Sequence, residues 1–462
     1  MEQYTKTSLH LQNFEQTNVY EWRHKGYREV KISGFLKEEV HKKRCPYCGY
    51  QKIHANGTRR VRLKHLSFGK EQFVVEVKYT RWECQTCHAC FKPTIPFKEP
   101  GHNMTRAFKK QLLGKLSLNN TVSKCSEELH VNRNLVKEFD KNRLQEKAGN
   151  MKPTHPSPFI CVDEFLLHKN HEYATVVIDY CTGESLYVTQ GKTYGQMIEF
   201  FHFVGYKFMQ QVVAVSMDMN ASYAKAFREW YPHIKIVYDG FHIIKNYNDM
   251  VLTEIRRAEQ RRLIEEMEIA KENGNKDLYK ELYDEYKTFK NSRYILLGNR
   301  KTLELKDEAA KEHNRILFEK FGKRGLKTPI GKRYWSACNI ERLEAILAAN
   351  EKLQVAHNLG EMLKSALYCR NPKVFETDFK RWLFMAEKTG YEELLKFCNL
   401  IRSHWKGFRN RVEYPLSNGP LEGTNCLIKN IRRQSYGIRD DLYFFLKIWE
   451  ATRKHPKNRV VT

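Results

Sequence analysis

Two short apolar runs, each ending in aspartate, constrain the fold of this chain more than any other feature. Phe159–Asp163 and Val212–Asp218 are apolar and contain β-branched residues, a pattern typical of buried strands. If these strands lie side by side and parallel in one sheet, Asp163 and Asp218 emerge at the same edge. Neighbouring carboxylates repel one another and are tolerated mainly when a cation neutralises them. The sequence therefore predicts a cation site that contains both aspartates.

The segments around these runs are predicted to complete an α/β core. Tyr173–Asp179 and Ser185–Thr189 read as the second and third strands of a meander. A helix over about Tyr194–Gln211 leads to the fourth strand, and another helix leads to a fifth strand over Ile234–Tyr238. This order of elements is that of an RNase H-like core, in which the first and fourth strands are parallel neighbours.

A third acidic residue, Glu422, lies far along the chain in Ser417–Asn425, where a helix is predicted to begin. The charged, amphipathic stretch 251–410 is expected to be a helical insertion within the core. Three carboxylates can hold two divalent cations, and two cations can cut and rejoin a phosphodiester. We therefore predict that Asp163, Asp218 and Glu422 bind Mg²⁺ or Mn²⁺. Side chains that follow Glu422 at helical spacing or within the next turns are expected to contact phosphates: Asn425, Lys429, Arg432 and Arg433.

Other residues compete for a place in this site. Glu164 is expected to point to the opposite face of the strand from Asp163. Asp179 lies at a hairpin turn, where aspartate commonly makes local hydrogen bonds. Asp239 ends the fifth strand at the same edge. Three roles therefore stay open for it: binding the metal, supporting the site or approaching DNA. His242 is a second candidate for a supporting role in the site.

Five of the twelve cysteines lie within residues 45–90, which indicates one metal site among reduced thiols. Cys45 with Cys48, and Cys84 with Cys87, form two CxxC pairs that suit tetrahedral Zn²⁺. Four thiolates leave no open position, so the sequence predicts a structural zinc ribbon that docks on DNA. Cys90 is a spare donor.

Residues 121–139 have the pattern of a helix-turn-helix. Thr121 is suited to cap a first helix, and a short turn at His130–Val131 leads to a second helix that starts near Asn132. Four polar residues of this second helix are predicted to face the major groove of DNA: Asn132, Arg133, Asn134 and Lys137.

The chain carries 80 Lys and Arg against 54 Asp and Glu in 462 residues, a formal net charge of +26. This excess suits a polyanion, although a ribosome-associated protein would show it too. No apolar stretch is long enough to span a bilayer, and residues 1–5 do not resemble a signal peptide, so a cytoplasmic, nucleoid-associated protein with no membrane partner is expected.

The predicted divisions are a zinc ribbon at 1–100, a helix-turn-helix domain at 101–152, a first core segment at 159–250, the insertion at 251–410, and the final core helix with the C-terminus at 411–462.

These motifs, in this order, resemble the ISL3 family of bacterial insertion-sequence transposases. The segments that carry the resemblance are the CxxC pairs, the helix-turn-helix, Val162–Phe165, Asp218–Asn220, Asp239–Lys245, Ser292–Leu297, Ser417–Asn425 and Ser435–Ile438. The resemblance implies a DDE recombinase with an RNase H-like fold, an insertion before the last acid, and Asp163, Asp218 and Glu422 as the triad. Gly240 departs from the family pattern, where a bulkier and often basic residue is expected. Cys90 is also unusual.

The function expected is that of a DDE transposase. It would bind the terminal inverted repeats of its element, cleave double-stranded DNA in a metal-dependent reaction, and join the freed 3′-OH to a target. Because two ends must be paired, a homo-oligomer on DNA is expected. Two alternatives stay open: a zinc and helix-turn-helix regulator with an inactive nuclease-like domain, and a structure-selective RNase H-like nuclease.

Overall fold

The computed structural model describes residues 11–37, 44–117, 120–149, 151–153, 155–323, 333–417, 419–434 and 439–453. Asn418 and the Ser435–Ile438 segment of the predicted motifs lie outside these residues. The chain divides into two compact units. The first contains Met1–Asn150 with Leu427–Glu450, and the second contains Met151–Cys426 with Ala451–Thr462.

The first unit begins with a sheet in which buried and more exposed residues alternate along the strands. Its strands have the order β1-β2-β4-β3, with β5 paired to β4. Val30, Val75 and Val77 are buried while their sequence neighbours are more exposed, so one face of the sheet packs on a core and the other faces outward. The segment 73–81, in which Phe73, Val75, Val77 and Tyr79 recur at period two, lies within β4. The bounds are β1 Phe14–His24, β2 Tyr27–Leu36, β3 Ile53–Phe68, β4 Glu71–Cys84 and β5 Cys90–Phe91.

Three helices follow in the first unit and share a small apolar core. Its centre includes Phe108, Leu129 and Val136. The Thr121 hydroxyl accepts a hydrogen bond from the backbone N–H of Lys124 at 3.1 Å, which caps the second helix as the sequence predicted. His130 turns the chain with a left-handed φ of 49° before the third helix. The helices are α1 Arg106–Ser117, α2 Val122–Leu129 and α3 Arg133–Ala148.

A buried ionic network connects α3 to the last helix of the chain. The Asp140 carboxylate is fully buried and accepts from Arg143 Nη2 at 2.6 Å, from the Tyr443 hydroxyl at 2.6 Å and from Lys447 Nζ at 2.9 Å. Arg143 also pairs with Glu450 at 2.7 Å. A C-terminal segment is therefore an integral part of the N-terminal unit.

The second unit contains the sheet that the two aspartate-ended runs predict. Its strand order is β10-β9-β6-β7-β8. The first and fourth strands of the core, β6 and β9, are parallel neighbours, which confirms that prediction. The strands are β6 Phe159–His168, β7 Glu172–Asp179, β8 Ser185–Gln190, β9 Ala214–Met217 and β10 Lys235–Tyr238.

The helix predicted over Tyr194–Gln211 is two helices, α4 Tyr194–Val204 and α5 Tyr206–Met209. Gly205 separates them with a φ of 83°, a conformation that ends a right-handed helix and that glycine adopts without steric cost. Two further helices flank β10 in sequence, α6 Ala221–Trp230 and α7 Gly240–Tyr247.

The insertion is helical, as predicted, and packs around large buried aromatic residues such as Trp382 and Phe397. A π-helical turn at Asn248–Leu252 leads into it. Its helices are α8 Thr253–Glu272, α9 Lys276–Phe289, α10 Arg293–Leu296, α11 Arg300–Phe321, α12 Asn339–Ala349, α13 Glu351–Leu367, α14 Pro372–Lys388, α15 Glu392–Ser403 and α16 Trp405–Glu413.

The last two helices are α17 Gly419–Gln434 and α18 Asp441–Arg453. Glu422 and Asn425 lie in the part of α17 that belongs to the second unit, whereas the residues from Leu427 onward belong to the first. In the described part of the chain, none of the helices is long and apolar enough to cross a bilayer.

Candidate active site

Parallel pairing of β6 and β9 brings Asp163 and Asp218 to the same level of the sheet. Val162 is paired with Met217, so each aspartate is the next residue on its strand. Asp163 lies within β6, which continues to His168, while Asp218 directly follows β9. Burial of Asp163 and, after it, the negative charge of Asp218 raise the pKa of the Asp163 carboxyl.

Both oxygens of Asp163 accept hydrogen bonds. Oδ1 accepts from the backbone N–H of Glu164 and Oδ2 accepts from Asn425 Nδ2, each at 2.8 Å. Burial, followed by repulsion from Asp218, nevertheless raises the pKa of Asp163 to about 6. The surrounding protein therefore does not fully compensate the negative charges of Asp163 and Asp218 when both are ionised.

His242 is the partner of Asp218. Its Nε2 lies 3.0 Å from Asp218 Oδ1. Burial lowers the pKa of His242, but the hydrogen bond and charge of Asp218, with the charges of Asp239 and Asp163, outweigh burial and raise it. Nε2 is placed to donate a hydrogen bond to the Asp218 carboxylate. Asp239, which is 5% exposed, precedes α7 and lies close enough to affect His242 electrostatically.

Glu422 is not gathered with the two aspartates. Its side chain is exposed in the first turn of α17, one turn before Asn425, whose amide contacts Asp163. Among the residues that the structure describes, the four cysteines of the CxxC pairs form the sole group of three or more such donors with all ligand atoms within 4.8 Å of one another. The structure therefore brings together Asp163, Asp218, His242 and Asn425, with Glu422 nearby in sequence on the same helix as Asn425.

The donors around Asp163 fit a divalent cation. Asn425 Oδ1 is buried and has no hydrogen-bond partner within the described residues, although its Nδ2 contacts Asp163. Carboxylate and amide oxygens are the ligands that hard cations such as Mg²⁺ prefer. A cation here would neutralise the repulsion between Asp163 and Asp218 and satisfy an unpaired oxygen.

The four cysteines fit zinc. Cys45 Sγ lies 3.5 Å from Cys87 Sγ, and Cys48 Sγ lies 3.6 Å from Cys84 Sγ. Zn–S bonds of about 2.3 Å in a tetrahedron give sulfur–sulfur edges of about 3.8 Å, close to these separations. The backbone N–H of Cys87, followed by that of Thr86, lowers the pKa of the Cys84 thiol to about 6 against the opposing effect of burial, which favours the metal-binding thiolate.

Cys90 lies outside this four-sulfur group. Its Sγ instead accepts from Asn56 Nδ2 at 3.4 Å. The spare thiol that the sequence offered is therefore not part of the zinc cluster.

The residues predicted to meet DNA on α3 differ in their availability. Asn132 caps the helix by accepting from the backbone N–H of Asn134 at 2.8 Å, although Asn132, Arg133 and Asn134 are all exposed. Lys137 is half-buried and pairs with Asp440 at 3.3 Å. Arg133 and Asn134 are therefore the better-placed members of the set.

The predicted phosphate-binding residues on α17 also differ. Lys429 and Arg433 are exposed, whereas Arg432 lies over the Phe444 ring at 5.2 Å. Asn425 contacts Asp163, so its first observed role is to orient that carboxylate. The sequence pattern placed Asn425 on the same helix face as Glu422 but contained no signal for its bond to Asp163, since 262 positions separate the two residues.

Comparison with known proteins identifies the class to which this fold and these sites belong. A family model of the ISL3 group, described as a transposase, matches residues 160–448, more than half of the chain. A second model, described as the zinc-finger of transposases IS204, IS1001, IS1096 and IS1165, matches residues 41–87, which include all four clustered cysteines. The chain therefore belongs to the ISL3 family of insertion-sequence transposases, as its motifs indicated, and carries that family's zinc ribbon.

Curated relatives agree with this assignment. The chain is 26% identical over 423 residues to the transposase for insertion sequence element IS1001 of Bordetella parapertussis, with 91% of each chain covered. It is 23% identical over 285 residues to the transposase for insertion sequence element IS1557 of two strains of Mycobacterium tuberculosis, covering 61% of this chain and 56% of the relative.

Proposed function

We propose that this protein is a DDE transposase whose RNase H-like core cuts and rejoins DNA at a divalent-metal site formed by Asp163, Asp218 and Glu422. The observation that carries the proposal is the parallel pairing of β6 and β9, which places two mutually repelling carboxylates side by side. The unpaired Oδ1 of Asn425 beside Asp163 adds support. The order and pairing of the five strands agree with an RNase H-like core.

When bound, Mg²⁺ or Mn²⁺ supplies Lewis-acid stabilisation of charge on the attacking and leaving oxygens of a phosphodiester. Asp163 and Asp218 would hold the cations. Asn425 orients Asp163 through its amide, and His242 orients Asp218 through its Nε2. Since no protein nucleophile is required, the attacking groups are water in the cleavage step and the freed 3′-OH in strand transfer.

Glu422 enters this proposal as the third acid. It lies one turn before Asn425, so the helix that positions it is already in contact with Asp163. In the proposal, the exposed Glu422 side chain would turn towards the two aspartates and help to hold a cation. Asp239 has a supporting role in this proposal, because its charge helps to raise the pKa of His242, which contacts Asp218.

The zinc ribbon and the α1–α3 helices would recognise the terminal inverted repeats of the element. The α2–α3 pair has the capping residues and tight turn of a helix-turn-helix, and Arg133 and Asn134 are exposed at the start of α3. Two element ends must be joined in one reaction. We therefore propose that the active species is a homo-oligomer on DNA.

Incubation of the protein with duplexes that carry its element ends tests this function. In Mg²⁺, the wild type should nick the ends and join the 3′-OH to a target duplex. Asp163→Asn and Glu422→Gln should bind the same duplex and leave it uncut, while Glu268→Gln, an exposed glutamate of α8, should cut normally. Cleavage by either triad variant would refute the site.

The same assay separates the two alternatives. Binding with no cleavage by the wild type would indicate a regulator. Cleavage of branched DNA without strand transfer would indicate a structure-selective nuclease.

A further inference from the structure

Arg411 is a largely buried cation that forms no ion pair with a carboxylate among the residues that the structure describes. It projects from α16, and its Nη1 donates to the backbone carbonyl of Tyr238 at 3.3 Å. Its Nε is buried without a hydrogen-bond partner in the described part of the chain. Burial lowers the pKa of Arg411, and the charge of Asp239 opposes this shift without cancelling it.

A comparison with Arg143 shows how unusual this is. Arg143 is also mostly buried, and it pairs with Asp140 at 2.6 Å and with Glu450 at 2.7 Å. No carboxylate of the described residues lies within 4.0 Å of the Arg411 guanidinium. A buried charge without a paired counter-charge is strongly unfavourable, so an anion that paired with Arg411 would remove this cost.

The guanidinium of Arg411 packs directly against the backbone of Gly240. A Cβ atom built on Gly240 would lie 2.9 Å from Cζ, Nη1 and Nη2 of Arg411, closer than such atoms approach. Glycine is therefore needed at position 240 for the guanidinium to lie where it does. Gly240 is also the first residue of α7, and the positive end of a helix beside a cation favours an anion.

This positive position lies at the carboxylate edge of the sheet. Tyr238, whose carbonyl holds Arg411, is paired with Met217, the residue before Asp218. His242 of α7 contacts Asp218 from the same helix that begins at Gly240. Arg411 is thus fixed next to the strand end that carries one of the two proposed metal ligands.

We propose that Arg411 binds a backbone phosphate of the DNA strand held at the Asp163–Asp218 site. This inference rests on the proposed function and names one more substrate contact for it. A guanidinium presents parallel N–H donors that match two phosphate oxygens, and the phosphate would supply the counter-charge that Arg411 lacks. Gly240 gives the guanidinium the space to lie at this edge.

The test compares Arg411→Ala with Arg409→Ala. Arg409 lies two residues earlier on α16, is exposed, and pairs with Glu376 at 2.7 Å, so it is a cation that already has a partner. Dissociation constants are measured for an element-end duplex over a series of salt concentrations, with Ca²⁺ in place of Mg²⁺. Loss of one phosphate contact should reduce the slope of log K against log salt by about 0.9.

We expect Arg411→Ala to show this reduced slope and about tenfold or more weaker binding, while Arg409→Ala matches the wild type. Duplexes with single neutral methylphosphonates near the cut give a second readout. One such position should weaken wild-type binding and have no further effect on Arg411→Ala. Unchanged slope, affinity and methylphosphonate response in Arg411→Ala would overturn the proposal.

If Arg411→Ala does not fold, Gly240→Ala replaces it, because the added methyl displaces the guanidinium without removing its charge. The same reduced slope is expected, and an unchanged slope overturns the proposal. Failure of the wild type to bind or cut element ends would refute the proposed function instead. A wild type that binds and cuts, with an unaltered Arg411 variant, would refute the Arg411 contact alone.

Discussion

Asp163 is the residue whose surroundings conflict most with its charge. It is held by two hydrogen bonds, yet burial and Asp218 raise the pKa of its carboxyl to about 6. Without a cation, the folded protein therefore binds a proton at Asp163 more tightly than the unfolded chain does. A residue that destabilises the metal-free fold in this way is typical of a functional site.

Asp163→Asn should stabilise the metal-free protein. A raised folded-state pKa gives stability that is present below the ordinary value of 3.8 and is lost as pH rises through about 6. The asparagine stays neutral, so it avoids a loss of up to about 3 kcal/mol at pH 7.5. Asn425 can rotate its amide to offer the unpaired Oδ1 to the new side chain.

Urea unfolding without added Mg²⁺, at pH 7.5 and near pH 4.5, measures this effect. The advantage of the variant should shrink at the lower pH, and exposed Asp277→Asn should show no such pattern. A variant less stable than the wild type at pH 7.5 would contradict the argument.

Asp163 and Asp218 are recognisable from sequence because an acid that ends an apolar run is a local signal. The bonds that hold them are not local. His242 reaches Asp218 from the next strand–helix connection, and Asn425 reaches Asp163 across the whole insertion. Arg411 had no sequence signal, because nothing in its neighbours distinguishes it from other arginines of a basic helix.

At the scale of elements, the β3–β4 hairpin is joined at its open end by the zinc cluster. Ile53 is paired with Cys84, and the Cys45–Cys48 turn precedes β3, so both strands end at the four sulfurs. Metal binding and the register of this hairpin are therefore coupled.

Cys84→Ser should lose the zinc and weaken DNA binding. Cys90→Ser is the matched control, since Cys90 lies nearby but outside the cluster. Metal content per chain is measured by mass spectrometry of the purified proteins, and duplex binding by fluorescence anisotropy. Equal zinc content in the two variants would show that the four sulfurs are not the ligand set.

Asp140→Ala should lower the free energy of unfolding by about 3 kcal/mol or more, because it leaves buried cations without their counter-charge. Arg143 and Lys447 both depend on this carboxylate for pairing. Asp284→Ala is the comparison, since Asp284 makes an exposed pair with Lys287 that is worth under about 1 kcal/mol. Similar losses in chemical denaturation of the two variants would argue against a stabilising network.

Elements with strong local patterns were predictable, and those decided by long-range pairing were not. Short apolar runs rich in β-branched residues identified the five strands of the second sheet, and terminal aspartates marked the two that carry Asp163 and Asp218. The hairpin of β1 and β2 was missed, although residues alternate on both sides of Lys25–Gly26 and a glycine there is typical of a turn. In the structure Gly26 has a φ of 94°, which glycine adopts readily. The association of α18 with α3 joins residues about 300 positions apart, and no local pattern could reveal it.

At the scale of the whole molecule, the net charge of +26 governs how copies of the chain meet. Like-charged copies repel in solution, and DNA bound as proposed would neutralise them. We expect assembly of two or more chains to require an element-end duplex. Sedimentation velocity with and without the duplex, at moderate salt, measures the number of chains per complex. Complexes that contain a single chain even when the duplex is bound would contradict the proposed oligomer.

The N-terminal unit is completed by residues from the far end of the chain, and this limits how the protein can be re-engineered or recombined with its relatives. A chimaera that exchanges only residues 1–150 would pair the incoming α3 with the α18 of the other protein. The residue at position 140 would then meet side chains other than its own Tyr443 and Lys447. Viable exchange of end specificity between such proteins should therefore involve two separate stretches of coding sequence, inherited together.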